Sequence, residues 1–257
     1  MKTKVLLIIL LLSGSLTYAQ SKLADKFFEN FAYVRASELY EEAVANGDDS
    51  QHVLTRLGDC YYNNSNAAKA ATWYKKALDK YPNINPEYIY KYSQVQRSLG
   101  NYQEAEDYLQ KFKERRSNDR RTEFILGDIK IYEELSSMEK VYIEVTNLDI
   151  NTEYSDFGSF EYNDILYFAS GRNTTNKLYD WNEEPFLDIY QVDVTDNNGV
   201  KSFAKPGFIM ADQVNTDYHE ASVAITNDGE TVYFTRDNVN KRNRLDYDKK
   251  GTTHLKI

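Results

Sequence analysis

One recurrence, with a period of about 34 residues, governs the first half of the chain. At its centre stand Leu54, Leu57, Gly58 and Tyr61, followed by Ala70, Tyr74, Ala77 and Pro82. The first four lie three, four and seven apart and share one face of a helix; Ala70, Tyr74 and Ala77 do the same on a second helix. Gly58 and Ala70 are small enough to let the two helices approach closely, and Tyr74 fills the space beside them. Pro82 has no N–H and disfavours helix at Tyr81, so the second helix ends there. The triplet Ala70, Tyr74, Ala77 also occurs one full period earlier as Ala36, Tyr40, Ala43. It returns downstream in Gly100-Asn101-Tyr102, Ala105, Leu109 and Phe112, where Ala105 falls one place later than a full period from Ala70. One extra residue near Asn83–Pro86 is expected to account for the delay.

This spacing resembles the tetratricopeptide repeat, a helix–turn–helix unit of about 34 residues, with only the Trp of the pattern replaced, by Leu54. The resemblance implies three repeats from about Lys22 to Arg116. The segment Glu123–Ser137 carries Phe124, Ile125, Asp128, Ile131, Tyr132 and Leu135 at helical spacing. It is predicted to cap the last repeat, whose apolar face needs a cover.

Met1–Ala19 reads as a processing segment. Lys2 and Lys4 form a positive start, Val5–Leu12 is an apolar run too short to span a bilayer, and Thr17 and Ala19 precede a cleavage point between Ala19 and Gln20. No Cys stands near that point, and no transmembrane helix remains after cleavage. The reading is therefore an exported protein, in a periplasm by the style of the sequence and associated with the outer membrane or cell wall. Net charge is −9, from 40 acidic and 31 basic residues, and loss of Lys2 and Lys4 makes it more negative. That balance excludes nucleic acid as the main partner. The single cysteine, Cys60, rules out an intramolecular disulfide and sits inside a predicted helix, as a buried structural residue does.

Near Glu139 the period changes from helical to alternating. Val141, Ile143 and Val145 alternate with Tyr142 and Glu144, and short β runs follow at Ile165–Ala169, Asp188–Val194, Ala221–Ile225, Thr231–Thr235 and His254–Ile257. Turn signals at Asn163-Asp164, Asn197-Asn198-Gly199 and Asn227-Asp228-Gly229 separate them, the last as a hairpin turn. A repeat runs through this half too. Asn151-Thr152-Glu153-Tyr154-Ser155-Asp156 returns as Asn215-Thr216-Asp217-Tyr218-His219-Glu220. Leu166-Tyr167-Phe168-Ala169-Ser170-Gly171-Arg172 returns as Val232-Tyr233-Phe234-Thr235-Arg236, and Arg172 is separated from Arg236 by the same interval as Asn151 from Asn215. The two arginines are expected to pair with the loop acids, and the Asn-Thr side chains to bond backbone groups in tight loops.

Loop, strand, turn and Tyr-Phe strand together resemble the blade of a TolB-like β-propeller. The expected fold is α + β and multidomain: signal peptide 1–19, an α-solenoid of tetratricopeptide repeats over 20–138, and one and a half to two propeller blades over 139–257. Closed propellers have about four to eight blades, and an open pair leaves strand edges exposed. The chain is therefore expected to be the front of a longer protein. The order of parts, with Trp181–Tyr190 and Asn215–Arg236 as blade segments, resembles an OmpA-family envelope protein of Bacteroidetes-type bacteria. That resemblance implies a further C-terminal domain binding peptidoglycan, and an anchoring role for a secretion or gliding complex of the type IX kind.

Catalytic signatures are missing: there is no G-x-S-x-G, no H-E-x-x-H and no phosphate-binding glycine loop. His52, His219 and His254 are scattered without ligand spacing, and no cofactor or metal site is expected. Asp246–Gly251 and Asp193–Gly199 lack the calcium-loop pattern and read as turns. Arg115, Arg116, Arg120 and Arg121 read as a solvated connection, with contact to an acidic partner or an anionic lipid head group as the alternative. Two classes of function remain. One is a non-enzymatic scaffold binding protein partners through its helical repeats, with Tyr62, Tyr88 and Tyr92, joined by Tyr33 and Tyr90, as groove-lining anchors. The other is a glycan-binding or hydrolytic propeller with its site in further blades.

Overall fold

The computed structural model describes residues 20–122, 134, 137–138, 146–209 and 214–257. The expected signal segment 1–19, the capping helix over Glu123–Ser137, the strand Val141–Val145 and the boundary at 138–140 fall wholly or mainly outside these residues. The chain divides into two compact units, 1–141 with 180–182, and 142–179 with 183–257.

The first unit is helical. It contains α1 (residues 20–29), α2 (Tyr33–Ala45), α3 (Gln51–Asn63), α4 (Ala67–Lys80), α5 (Pro86–Ser98) and α6 (Tyr102–Arg115), three antiparallel pairs in which each helix packs on its neighbours in sequence. Short polar side chains start the helices. Ser50 Oγ accepts the N–H of Val53, Asn66 Oδ1 that of Lys69, and Asn85 Oδ1 that of Glu87 behind Pro86 in the first turn. The reversal within each pair passes through a left-handed residue at one repeat position: Phe31 (φ 63°), Ser65 (φ 57°) and Gly100 (φ 78°). Only the third carries the residue that suits that conformation. The extra residue is not in the linker. Linkers 46–50 and 81–85 are equal, while α4 has 14 residues against 13 in α2, so the addition falls in the last turn of α4.

The core of this unit follows the predicted faces. Ala36, Leu57, Gly58, Tyr61, Ala70, Tyr74 and Ala77 are all buried in the first two pairs, and Ala105, Leu109 and Phe112 in the third. Among the described glycines, Gly58 has the closest side-chain neighbour. A Cβ there would stand 2.4 and 2.5 Å from Cδ1 and Cε1 of Tyr74.

The second unit is two antiparallel sheets. The first runs β1 (Asp156–Tyr162), β2 (Ile165–Ser170), β3 (Asp188–Asn197), with β4 (Val200–Phe203) and β5 (Gly207–Phe208) both pairing along the far side of β3. The second runs β6 (Glu220–Ile225), β7 (Val232–Asp237) and β8 (Leu255–Lys256). Asn163-Asp164 and Asn198-Gly199 make two-residue hairpins with positive φ at both positions, as the strand twist favours. At Asn227–Glu230 only Gly229 has positive φ, and the loop is longer by two. The sheets meet on a shared apolar layer of Tyr167, Ile189, Val214 and Val223.

The repeat is real in three dimensions, with one correction. Both first strands carry a bulge at the same place, at Gly158 (φ 67°) and Ser222 (φ 53°). Because the second turn is longer, the Tyr-Phe strands are offset by two places more than the loops before them. Ala169 and Thr235 hold the same position, as do Ser170 and Arg236. Arg236 therefore corresponds to Ser170, and the place of Arg172 is taken by Asn238.

Two substitutions test the helical packing. Gly58→Ala forces Tyr74 aside and is expected to destabilise the unit by about 1–3 kcal/mol. Ser65→Gly relieves a left-handed residue and is expected to stabilise it by about 1 kcal/mol. Urea midpoints followed by far-ultraviolet circular dichroism should move in opposite directions.

Candidate protein-interaction surface

In the first two pairs the first helix presents an aspartate immediately after the small residue of its core face: Asp25 after Ala24 and Asp59 after Gly58. Each accepts a tyrosine hydroxyl from the second helix of its pair, Tyr40 to Asp25 at 2.5 Å and Tyr74 to Asp59 at 2.7 Å. Each is also bonded from the first helix of the next pair, by His52 Nε2 at 2.6 Å and by Lys91 Nζ at 2.5 Å. One carboxylate thus ties three helices. The third pair has Gln94 and Leu109 at the same places and the ladder stops there. Burial, then the neighbouring carboxylate, raises the phenol pKa of Tyr40 and of Tyr74 far above the usual range, so both remain donors. Asp59 and Lys91 form an ion pair with side chains 7% and 26% exposed.

The Lys91 ammonium lies 5.7 Å from the Tyr62 ring centroid and 5.5 Å from that of Tyr88, and both rings sit beside Tyr74. Tyr62 is 37% exposed and Tyr88 half-buried. Two of the expected groove tyrosines thus flank one cation at the surface. Tyr92 does not join them. It is 3% exposed, donates to Glu104 Oε1 at 2.8 Å and packs edge-to-face on Tyr108. Once the extra residue of α4 is counted, it occupies the repeat position of Leu57 and so holds a core place. Tyr33 is buried as well, and Tyr90 packs on Phe112 beneath the guanidinium of Arg121.

Two of the four arginines at and beyond the end of α6, Arg115 and Arg121, are structural rather than part of a solvated run. Arg115 donates to the carbonyls of Pro82 and Ile84, and Arg121 makes a paired contact with Glu87 at 2.8 and 2.9 Å and another with Asp119. The guanidinium of Arg121 holds the Asp119 carboxyl down at about 2. A cavity of about 400 Å³ opens between α4 and α6, lined by Leu78, Ile84, Ile89, Tyr108, Lys111 and Arg115 among others. Cys60 is buried, and burial pushes its thiol pKa far up, which suits a packing residue.

In the β unit the hydroxyls of Thr152 and Thr216 accept the N–H of Tyr154 and of Tyr218, the backbone bonds expected of these loops. Thr152 donates its N–H and hydroxyl to Asp156, Thr216 does the same to Glu220, and Asn215 bonds both the N–H and the carbonyl of Ile189. Arg172 pairs with Asp156 at 2.8 Å, whereas Arg236, displaced by the longer turn, makes no ion pair with Glu220 among the described residues. The described residues contain no group of three or more potential metal ligands, and no helix long and apolar enough to cross a membrane.

Residues 22–83 and 87–119 each match a family model of the tetratricopeptide repeat, and the six helices are repeats of that kind. None of the curated proteins matches the chain. Similar solved structures include MamA AMB-1, at 22% identity and a TM-score of 0.42, with 47% of this chain and 64% of that chain covered. Another is the first TPR of Spaghetti (RPAP3) bound to the HSP90 peptide SRMEEVD, at 16% identity and a TM-score of 0.40, covering 47% and 94%. A third is the Yersinia enterocolitica type III secretion chaperone SycD in complex with a peptide of the translocator YopD, at 17% identity and a TM-score of 0.40, covering 46% and 95%. The chain thus spans just under two thirds of MamA. The repeats make this half of the protein a scaffold of the protein-interaction type.

Two sets of variants separate surface from core. Tyr74→Phe leaves Asp59 short of a donor and is expected to cost about 1–3 kcal/mol. Tyr92→Ala should cost about 3–5 kcal/mol, against less than about 1 kcal/mol for Tyr62→Ala; chemical denaturation ranks them.

Proposed function

We propose that this protein is a non-enzymatic scaffold of a bacterial envelope, which holds a protein partner on the repeat surface marked by Tyr62, Tyr88 and Lys91. The observation that carries this reading is two partly exposed tyrosine rings flanking one ammonium whose position is set by the buried Asp59. Tyrosines held rigidly at a surface give large contact area at small entropic cost. Stacked helical pairs of this kind present an extended face suited to a peptide or a helix.

The finer parts of the proposal rest on the sequence. A start with the character of a signal peptide supports export, and the order of parts supports an OmpA-type envelope protein that, in a longer form, is anchored to peptidoglycan. A propeller is the reading of the β unit. It is supported by the repeated loop, the repeated bulge, and the contrast between Tyr167, 8% exposed under the second sheet, and Tyr233, 54% exposed at the same place in that sheet.

The partner surface is tested by a photo-crosslinking residue placed at 62 or 88, in cells that make the protein, with position 113 on α6 as control. A single defined adduct at 62 and 88 and none at 113 is expected; equal labelling at all three overturns the surface assignment. Anchoring is a separate question. The full-length protein is expected to co-sediment with purified peptidoglycan, and failure to do so removes that part alone.

A further inference from the structure

Asp156 and Glu220 open the first strands of the two sheets at the same point of the repeat, and each accepts two hydrogen bonds from the threonine four places earlier. Their surroundings then diverge. Asp156 has the guanidinium of Arg172 at 2.8 Å. Glu220 is 0% exposed, and no ion pair reaches it among the described residues. The cause is the turn after β6: its greater length puts Arg236 in the position of Ser170 and leaves Asn238 where a guanidinium would be needed.

Glu220 also lies on the seam between the sheets. Its N–H donates to the carbonyl of Leu187 at 2.8 Å, and the N–H of Leu187 donates to His219 Nδ1 at 3.1 Å. Asn215 clamps Ile189 from the same loop. The charged and titratable groups around it are Asp188 at the start of β3, 2% exposed and bonded by Asn173; His219 beside it; and Arg236 and Asp237 on β7, with Lys256 opposite Arg236 on β8. The seam thus encloses two buried carboxylates, and the charge of Arg236 acts on Glu220 without an ion pair between them among the described residues.

We propose that this seam is a proton-controlled joint between the two sheets, closed while Glu220 carries its proton and loosened when Glu220 ionises beside Asp188. The burial and bonding of the two equivalent groups agree with the geometry. Burial pushes the Glu220 carboxyl up to about 7, and burial raises Asp188 as well. For Asp156, burial is outweighed by hydrogen bonds from Ser170 and Arg172, which hold it below the usual carboxylate range. A carboxyl raised in the folded state stabilises fully below its unfolded value, and that contribution is lost as pH rises through about 7. His219, lowered by burial, acts in the other sense on the acid side.

The test is amide hydrogen exchange on the full chain at about pH 5.5 and about pH 8.5, corrected for intrinsic rates, read at Leu187, Ile189 and Glu220. The opening equilibrium at these amides is expected to rise about tenfold or more at the higher pH, with the helical unit as internal reference, and Glu220→Gln should flatten the change. Seam protection equal at both values, or a rise that persists in Glu220→Gln, overturns the proposal. Should that variant fail to fold, carbon-13 titration of the Glu220 carboxyl in the unaltered protein decides: a midpoint near 7 supports the joint, and one in the ordinary carboxylate range sinks it.

Discussion

The ring of Tyr74 against Gly58 is the contact on which the helical unit depends. It brings α3 and α4 close enough for the hydroxyl to reach Asp59, and Asp59 in turn holds Lys91 from the next pair. A buried carboxylate alone would be costly; with a phenol and an ammonium on one oxygen it becomes a fastening between three helices. Asp25, Tyr40 and His52 build the same fastening one repeat earlier. In the third pair Ser93, Gln94 and Leu109 replace glycine, aspartate and tyrosine, and packing of Ile89, Leu109 and Phe112 takes over. The unit is thus cross-linked by polar bonds in its first two thirds and held by apolar contact and the Arg121 clamp at its end.

That arrangement also sets what the surface can offer. Lys91 is bonded from below, so Tyr62 and Tyr88 stand around a cation in a defined place rather than on a wandering side chain. Preorganisation of this kind lowers the entropy lost on binding. The same logic puts Tyr92 out of reach: its ring serves the α5–α6 contact, and its hydroxyl is taken by Glu104.

The β unit solves a different problem. Its loops bury polar residues, and each carboxylate needs donors. Threonine supplies two in both copies, and the third comes only where the turn length brings an arginine into place. A small difference in the length of one hairpin therefore decides whether a buried acid at that point of the repeat has an arginine partner.

Much of this was legible in the chain itself. The recurring helical spacing determined the helices, their small-residue contacts and the stop at Pro82, because helical period and side-chain size act locally. The same reading extended to β2, β3, β6, β7 and β8, though not to β4 and β5, and to the turns at Asn163-Asp164 and Asn198-Gly199, where Asn, Asp and Gly permit positive φ. The aspartate ladder was visible as a second recurrence at the same spacing, Asp25 with Asp59 and Tyr40 with Tyr74, but carboxylates at helical positions look like solvated surface until the partner helix is in place. Only the tertiary structure decided which tyrosines face outward, that Arg115 and Arg121 serve the fold, and that Arg236 is not the counterpart of Arg172. Each of those depends on how distant segments register against one another. A one-residue or two-residue change in spacing moves a side chain to a different neighbour while leaving the local pattern almost unaltered.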